Sequence, residues 1–241
     1  METFYIILFV IALLYAAVGH GGASGYLALM ALYGFSPSTM KPTALTLNLF
    51  VSLISFIQYY RGRHFIFKIF LPLAMTSVPM SFIGGTITVN DLIYKKILGV
   101  LLLIPVIRFL FFKSSDTELL KTHNVALCLL IGGSIGLLSG MIGIGGGIIL
   151  SPVLLLLNWT NQKQAAAISA LFIFVNSLAG LAGQLTSDIQ FTDNMILSVI
   201  IAFTGGLCGA YLGALKFNQT ILKNLLSVIL FMAALKLITG G

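Results

Sequence analysis

The sequence predicts an all-α integral membrane protein, a polytopic helical bundle of two homologous halves, built as inverted repeats with re-entrant or broken helices. Three observations carry that expectation. Of the 241 residues, 59% are hydrophobic and only 8% are charged, whereas about a quarter of a soluble domain is charged. Apolar runs long enough to span roughly 30 Å of hydrocarbon recur along the whole chain, and the mean hydropathy is +1.08. Finally, a glycine knot set in apolar sequence occurs twice, as Gly19-His20-Gly21-Gly22-Ala23 and as Gly143-Ile144-Gly145-Gly146-Gly147.

The apolar segments fall at about 3–18, 22–33, 43–60, 66–88, 93–112, 124–141, 148–157, 165–184, 193–215 and 219–238. Segment 3–18 has the length of a signal peptide. It is preceded by Glu2 rather than by Lys or Arg and lacks a convincing cleavage site, so it reads as mature sequence. Segments 22–33 and 148–157 each follow a glycine knot and are too short to cross a bilayer comfortably. Glycine loses more entropy in a helix than other residues, so helices break at such clusters. A break at membrane depth leaves amides and carbonyls that lipid cannot pair, so it must be buried in protein or line a wet cavity. Segments 43–60 and 165–184 carry Asn and Ser, and the two segments after each are plain apolar helices. The polar stretch 113–123 divides the chain into a first repeat, 1–112, and a second, 124–241. The offset is about 124 residues, bringing Gly19 onto Gly143; one residue of slippage then brings Ser52 onto Ser177.

Loop charges choose between parallel and inverted copies. If each broken segment crosses as one helix, seven Lys and Arg lie inside and six outside, which carries no signal. If each enters and leaves on the same side, every half crosses three times and the second half is inverted. Arg61, Arg63, Lys68, Arg108, Lys113, Lys121, Lys163, Lys216 and Lys223 then lie inside, and only Lys41, Lys95, Lys96 and Lys236 lie outside. Nine against four favours the inverted arrangement. The formal charge of +7 is loop charge that orients helices, and no nucleic-acid partner is expected.

The candidate binding residues follow from the breaks. A half-helix that starts after a break points free N–H groups and the positive end of its dipole into the protein. Two breaks in matching positions point to a transporter site; close packing through small residues is the competing reading. Gly19, Gly21, Gly22, Gly143, Gly145, Gly146 and Gly147 are the backbone candidates. Asn48, Ser52 and Ser55 share one helix face, as do Ser169, Asn176 and Ser177. Asn48, Ser52, Ser169, Asn176 and Ser177 are candidate side-chain donors, although each could equally make an ordinary interhelical hydrogen bond. His20 stands inside the first break, where Ile144 occupies the second, so any proton coupling resides in the first half. Gln58 and Gln184 read as interfacial. Cys128 and Cys208 lack metal-ligand spacing and read as buried thiols. No cofactor, metal or catalytic group is expected.

All six acids fall in termini or turns, so a cationic cargo is disfavoured and a small anion suits the site better. Neither glycine cluster is followed by the Lys-Ser/Thr of a nucleotide loop. Gly22-Ala23-Ser24-Gly25 resembles the nucleophile motif of rhomboid intramembrane proteases, but such an enzyme needs an intramembrane His on another helix, and His64 and His123 sit at polar helix ends. Replacing Ser24 by Ala separates the two classes, because a protease loses cleavage and a carrier retains transport. A passive anion pore is a third reading, marked by flux without saturation.

The paired breaks, and above all the stretch from Gly140 to Pro152, GMIGIGGGIILSP, resemble the TauE/SafE sulfite exporter family over essentially the whole chain. The first copy departs from that pattern at His20 and Ala23. The resemblance implies a multi-pass inner-membrane permease moving sulfite, a sulfonate or a related organic anion. The coupled ion (H+ or Na+), the direction of flux and a homodimeric state stay open.

Overall fold

A computed structural model describes residues 2–18, 22–111, 120–186, 193–213 and 219–239. The described residues form ten helices and no strand: α1 (Glu2–Val18), α2 (Ala23–Leu32), α3 (Pro37–Arg61), α4 (Phe67–Thr86), α5 (Asp91–Phe111), α6 (Val125–Ile142), α7 (Gly147–Leu156), α8 (Gln162–Gln184), α9 (Asp193–Gly213) and α10 (Gln219–Thr239). Among these residues four helices, α3, α4, α6 and α8, are long and apolar enough to cross a membrane. Large apolar side chains such as Met75, Leu130, Ile200 and Phe231 face outward, as a lipid-facing surface requires and a soluble one avoids.

Two helices start earlier than apolarity alone suggests. α3 begins at Pro37, with Ser36 as an extended N-cap; proline suits the first helical turn because its missing N–H would be unpaired there anyway. α8 begins at Gln162 behind a capping box in which Asn161 and Gln164 bond each other's backbone N–H.

The first two helices form a hairpin. Phe4, at the start of α1, packs its ring on Tyr33 and Phe35 just beyond the end of α2. α6 and α7 form another: the Lys121 N–H, ahead of α6, donates to the Asn158 carbonyl beyond α7 at 2.7 Å, and His123 meets Trp159 edge to face. α2 and α7 have ten residues each, about 15 Å at 1.5 Å per residue, roughly half of the hydrocarbon thickness. α6 is long enough to span, yet the chain turns back beyond Gly143 and its return limb ends beside its start.

Helix directions follow from close approaches. Side chains at Gly132, Gly136 and Gly140 of α6 would run into the carbonyls of Leu73, Ser77 and Ser81 of α4, so α4 and α6 are parallel and start at the same end. Gly205 and Gly209 of α9 lie likewise against Phe9 and Leu13 of α1. α3 and α8 are antiparallel, with Asn48 beside Ser177 and Leu45 beside Gly180. α5 and α10 pack together through Gly99, Ala234 and Ile238 and are also antiparallel: Ile87, just ahead of α5, accepts from Lys41 at the start of α3, and Lys236, near the end of α10, bonds Leu32 at the end of α2, beside that same start. The open end of the first hairpin therefore lies where α3 starts, and that of the second lies where α3 ends and α4 starts. Lys236 of α10 reaches across to cap the Leu32 carbonyl of α2 at 2.8 Å. The packing partners also exchange consistently: α4 with α6 matches α9 with α1, α4 with α8 matches α9 with α3, and α7 with α8 matches α2 with α3.

The core has two parts. One gathers α1, α2 and parts of α3, α5 and α10 around Tyr15, Tyr26 and Tyr94; the other joins α4, α6, α7 and α8 around Leu73, Leu154 and Phe172. Cys128 is buried in the second, whereas Cys208 is exposed, contrary to the expectation of a buried thiol, because its position on α9 faces outward. Gln184 also departs from expectation: it is buried, with its Nε2 unpartnered, because α8 packs tightly on α4 where Gly85 meets Gly180 and Gln184.

Candidate functional site

The second glycine break is a compact left-handed turn at the tip of the α6–α7 hairpin. Gly143 (φ +87°) ends α6, and its N–H donates to the Ser139 carbonyl at 2.7 Å. Gly145 (φ +70°) and Gly146 (φ +77°) then lie in a region that other L-residues enter at a cost of roughly 1–2 kcal/mol each. Gly147 has ordinary dihedrals but touches α8, where a side chain would meet Ile173 and, at 2.9 Å, the Ser169 carbonyl. Three of these four glycines are therefore required by backbone conformation, and Gly147 by proximity.

The turn faces polar groups. A Cβ on Gly145 would lie 2.9 Å from Asn48 Nδ2 and 3.0 Å from Ser177 Oγ. Asn48 is the twelfth residue of the 25-residue α3, near the midpoint of that span, and its Nδ2 donates to Ser177 Oγ at 3.3 Å. Both residues are fully buried. Buried polar atoms are normally paired; here the Oδ1 atoms of Asn48 and Asn176 and the Oγ atoms of Ser52 and Ser139 have no partner. At the start of α7 the Gly146 carbonyl accepts from Ile149 and Leu150. The N–H groups of Gly145, Gly146, Gly147 and Ile148 have no acceptor among the described residues. The backbone N–H groups and the Ser52, Ser139 and Ser177 hydroxyls are the donors that could meet an oxyanion at the positive end of this helix dipole, whereas the free Oδ1 atoms of Asn48 and Asn176 can only accept.

Not every candidate faces this turn in the same way. Ser169 is satisfied by Ser151 across the α7–α8 contact at 2.7 Å. Asn176 donates its Nδ2 to Phe172 O of its own helix at 2.8 Å, which fixes its amide orientation and leaves Oδ1 free. Ser55 bonds the Val51 carbonyl of its own helix, so it does not share the free polar role of Asn48 and Ser52. Gly19, His20 and Gly21 lie outside the described residues. Gly22 is described: it is the N-cap of α2, without a side-chain cap, and is buried.

Sequence reading missed two groups. Ser139 stands four residues before Gly143, one helical turn below the break, and its carbonyl holds the Gly143 N–H. Tyr26 stands four residues after Gly22, and its ring folds back over that glycine. The i, i+4 spacing to a break glycine was the available signal in both cases. Ser24, the protease-like serine, shares a 2.6 Å hydrogen bond with the Tyr15 hydroxyl and is buried. No three His, Cys, Asp or Glu side chains come together as a metal site would need among the described residues. The two acids whose side chains are described, Glu2 and Asp91, are exposed in the first turns of their helices.

Comparison with known proteins agrees with this architecture. The profile of the Sulfite exporter TauE/SafE family matches residues 4–237. The chain is 38% identical over 234 residues, 95% of each chain, to the probable membrane transporter protein y4hK of Sinorhizobium fredii. It is 27% identical over 237 residues, 94% of each chain, to the probable membrane transporter protein YdhB of Bacillus subtilis. It is 29% identical over 194 residues to the probable membrane transporter protein MJ0441 of Methanocaldococcus jannaschii, covering 76% of this chain and 71% of that one. No solved structure matches the chain.

Proposed function

The chain belongs to the Sulfite exporter TauE/SafE family of multi-pass membrane transporters, and from that premise we propose that it is a secondary permease moving a small oxyanion, such as sulfite or a sulfonate, across the inner cell membrane. The observation that carries the choice of an anion is the second glycine turn. Its N–H groups at Gly145, Gly146, Gly147 and Ile148 and the Asn48–Ser177 pair beside it form an uncharged, buried donor set. Backbone and amide donors of this kind suit spread negative charge, and a cation carrier would instead place carboxylates at that depth.

The proposed mechanism is alternating access between two halves, residues 1–112 and 124–241, related as inverted repeats. Antiparallel packing of α3 on α8, and of α5 on α10, supports this relation. Two corresponding helices that cross antiparallel are exchanged by an axis in the membrane plane, and inverted-repeat transporters have that geometry. The hairpin tips would enter from opposite faces and hold the anion between them, and rocking of one half on the other would expose it to each side in turn. In this reading the chain performs no covalent chemistry.

The test uses Gly146→Leu in purified protein and in proteoliposomes, with sulfite, methanesulfonate and acetate, at two pH values and with and without sodium. A side chain at Gly146 would meet Ile135 at 2.8 Å and Phe172 at 2.9 Å in a left-handed backbone, so binding and transport are expected to be lost. Unchanged anion binding by this variant would remove the site from the second break.

A further inference from the structure

The first break contains a group that the sequence pattern does not assign. Tyr26 lies in the first two turns of α2, its N–H donating to Gly22 O at 3.0 Å. Its side chain folds back so that the hydroxyl end of the ring occupies the space that a Cβ on Gly22 would take. A side chain at Gly22 would have to displace the Tyr26 ring. The residue is fully buried, and its hydroxyl has no hydrogen-bond partner. The neighbouring Tyr15 differs, because its hydroxyl is satisfied by Ser24. Helix geometry leaves the N–H groups of Ala23, Ser24 and Gly25 without an acceptor in their own ten-residue helix. An unpaired phenol donor therefore stands over the positive end of that helix.

The geometry points to Tyr26 as an anion-binding residue of the first break, its O–H donating to an oxyanion held at the N-terminus of α2. The assignment rests on the anion-permease reading and names a ligand group within it. It also makes the two breaks chemically unequal: at the offset of about 124 residues the second half has Leu150, buried and apolar, and relies on Asn48 and Ser177 beside its turn. The first break would hold its ligand by a phenol, the second by an amide and a hydroxyl.

Tyr26→Phe tests this, because it removes one oxygen and keeps the ring. The unliganded protein is expected to melt at the same temperature or higher, since an unpaired buried hydroxyl stabilises nothing. Affinity for sulfite and methanesulfonate, measured by calorimetry on purified protein, is expected to fall about tenfold to a hundredfold, as for loss of a hydrogen bond to a charged group. A merely structural role gives the opposite pattern, a lower melting temperature with unchanged affinity, and would overturn the assignment. If Tyr26→Phe binds as tightly as the unsubstituted protein while Gly146→Leu does not bind, this assignment fails and the permease reading stands. If the unsubstituted protein binds neither anion, both fall.

Discussion

Replacing Gly145 by Ala perturbs the second break with one methyl group, and Gly34 supplies the control. Both glycines have positive φ, +70° and +76°. A methyl on Gly34 meets nothing within 4 Å, so Gly34→Ala costs only the left-handed conformation, about 1 kcal/mol. A methyl on Gly145 pays the same and also meets Ile173 at 2.8 Å, Asn48 Nδ2 at 2.9 Å and Ser177 Oγ at 3.0 Å. Overpacking of this kind costs about 1 kcal/mol or more. Parting Asn48 from Ser177 costs a further ~1 kcal/mol for the neutral hydrogen bond between them. The totals are about 3 kcal/mol for Gly145→Ala and about 1 kcal/mol for Gly34→Ala. At 2–4 °C per kcal/mol for a chain of this size, melting temperatures should fall by roughly 9 °C and 3 °C. Thermal unfolding in one detergent measures both, and anion uptake by proteoliposomes should be lost only in Gly145→Ala. Equal melting shifts, or full uptake by Gly145→Ala, would refute the argument that the turn is packed against a binding face.

Two further outcomes are expected. In a background with Cys128 and Cys208 replaced, Lys121→Cys and Lys163→Cys should react with an impermeant maleimide from one side of the membrane, and Glu2→Cys and Ser36→Cys from the other; labelling of Lys121→Cys and Lys163→Cys from opposite sides would show that α6 and α7 cross as one span. Ser151→Ala and Ser169→Ala should each destabilise by about 1–3 kcal/mol by orphaning the other hydroxyl, whereas the double variant should cost less than the two together; additive effects in thermal unfolding would mean that the 2.7 Å bond is not a coupled pair.

Much of the helical order was legible because each segment carries its own signal. Apolar length marks α4 and α6, and glycine clusters mark where α2 and α7 must begin. Residues such as Pro37 and Asn161 were harder to read, because a cap is recognised by what its side chain or ring does at the first turn and not by apolarity. The candidate site was legible in part for the same reason. Gly145 and Gly146 are local requirements of a left-handed turn, so sequence shows them. Whether Ser169 or Ser177 faces that turn depends on how α7 lies on α8: the approach of Gly147 to Ile173 takes Ser169 into a bond with Ser151 and leaves Ser177 to Asn48. Tyr26 was hidden because a tyrosine in a short apolar helix reads as core until its hydroxyl is found without a partner.

The two parallel seams explain why a repeat offset recovers the breaks and little else. α4 meets α6, and α9 meets α1, backbone to backbone. In the first seam the small residues at four-residue spacing, Gly132, Gly136 and Gly140, sit on α6. At the same offset α1 carries Leu8, Ala12 and Ala16. The close approach in the second seam is made by Gly205 and Gly209 of α9; past the one-residue slippage their counterparts in α4 are Met80 and Gly84, and Gly84 meets the Leu137 carbonyl of α6 as Gly209 meets the Leu13 carbonyl of α1. Contact between two helix backbones needs a small residue on one partner only, so a duplicated seam can keep its geometry while only some of its glycines, such as Gly84 and Gly209, are kept in both copies. A left-handed turn has no such alternative, because the residue that adopts positive φ must itself be the permissive one. That requirement holds Gly143, Gly145 and Gly146 in the second break; Gly22, the counterpart of Gly146, has a φ of −75°, so at that position the first copy carries glycine without needing positive φ, and the shared glycine there answers to packing rather than to backbone conformation.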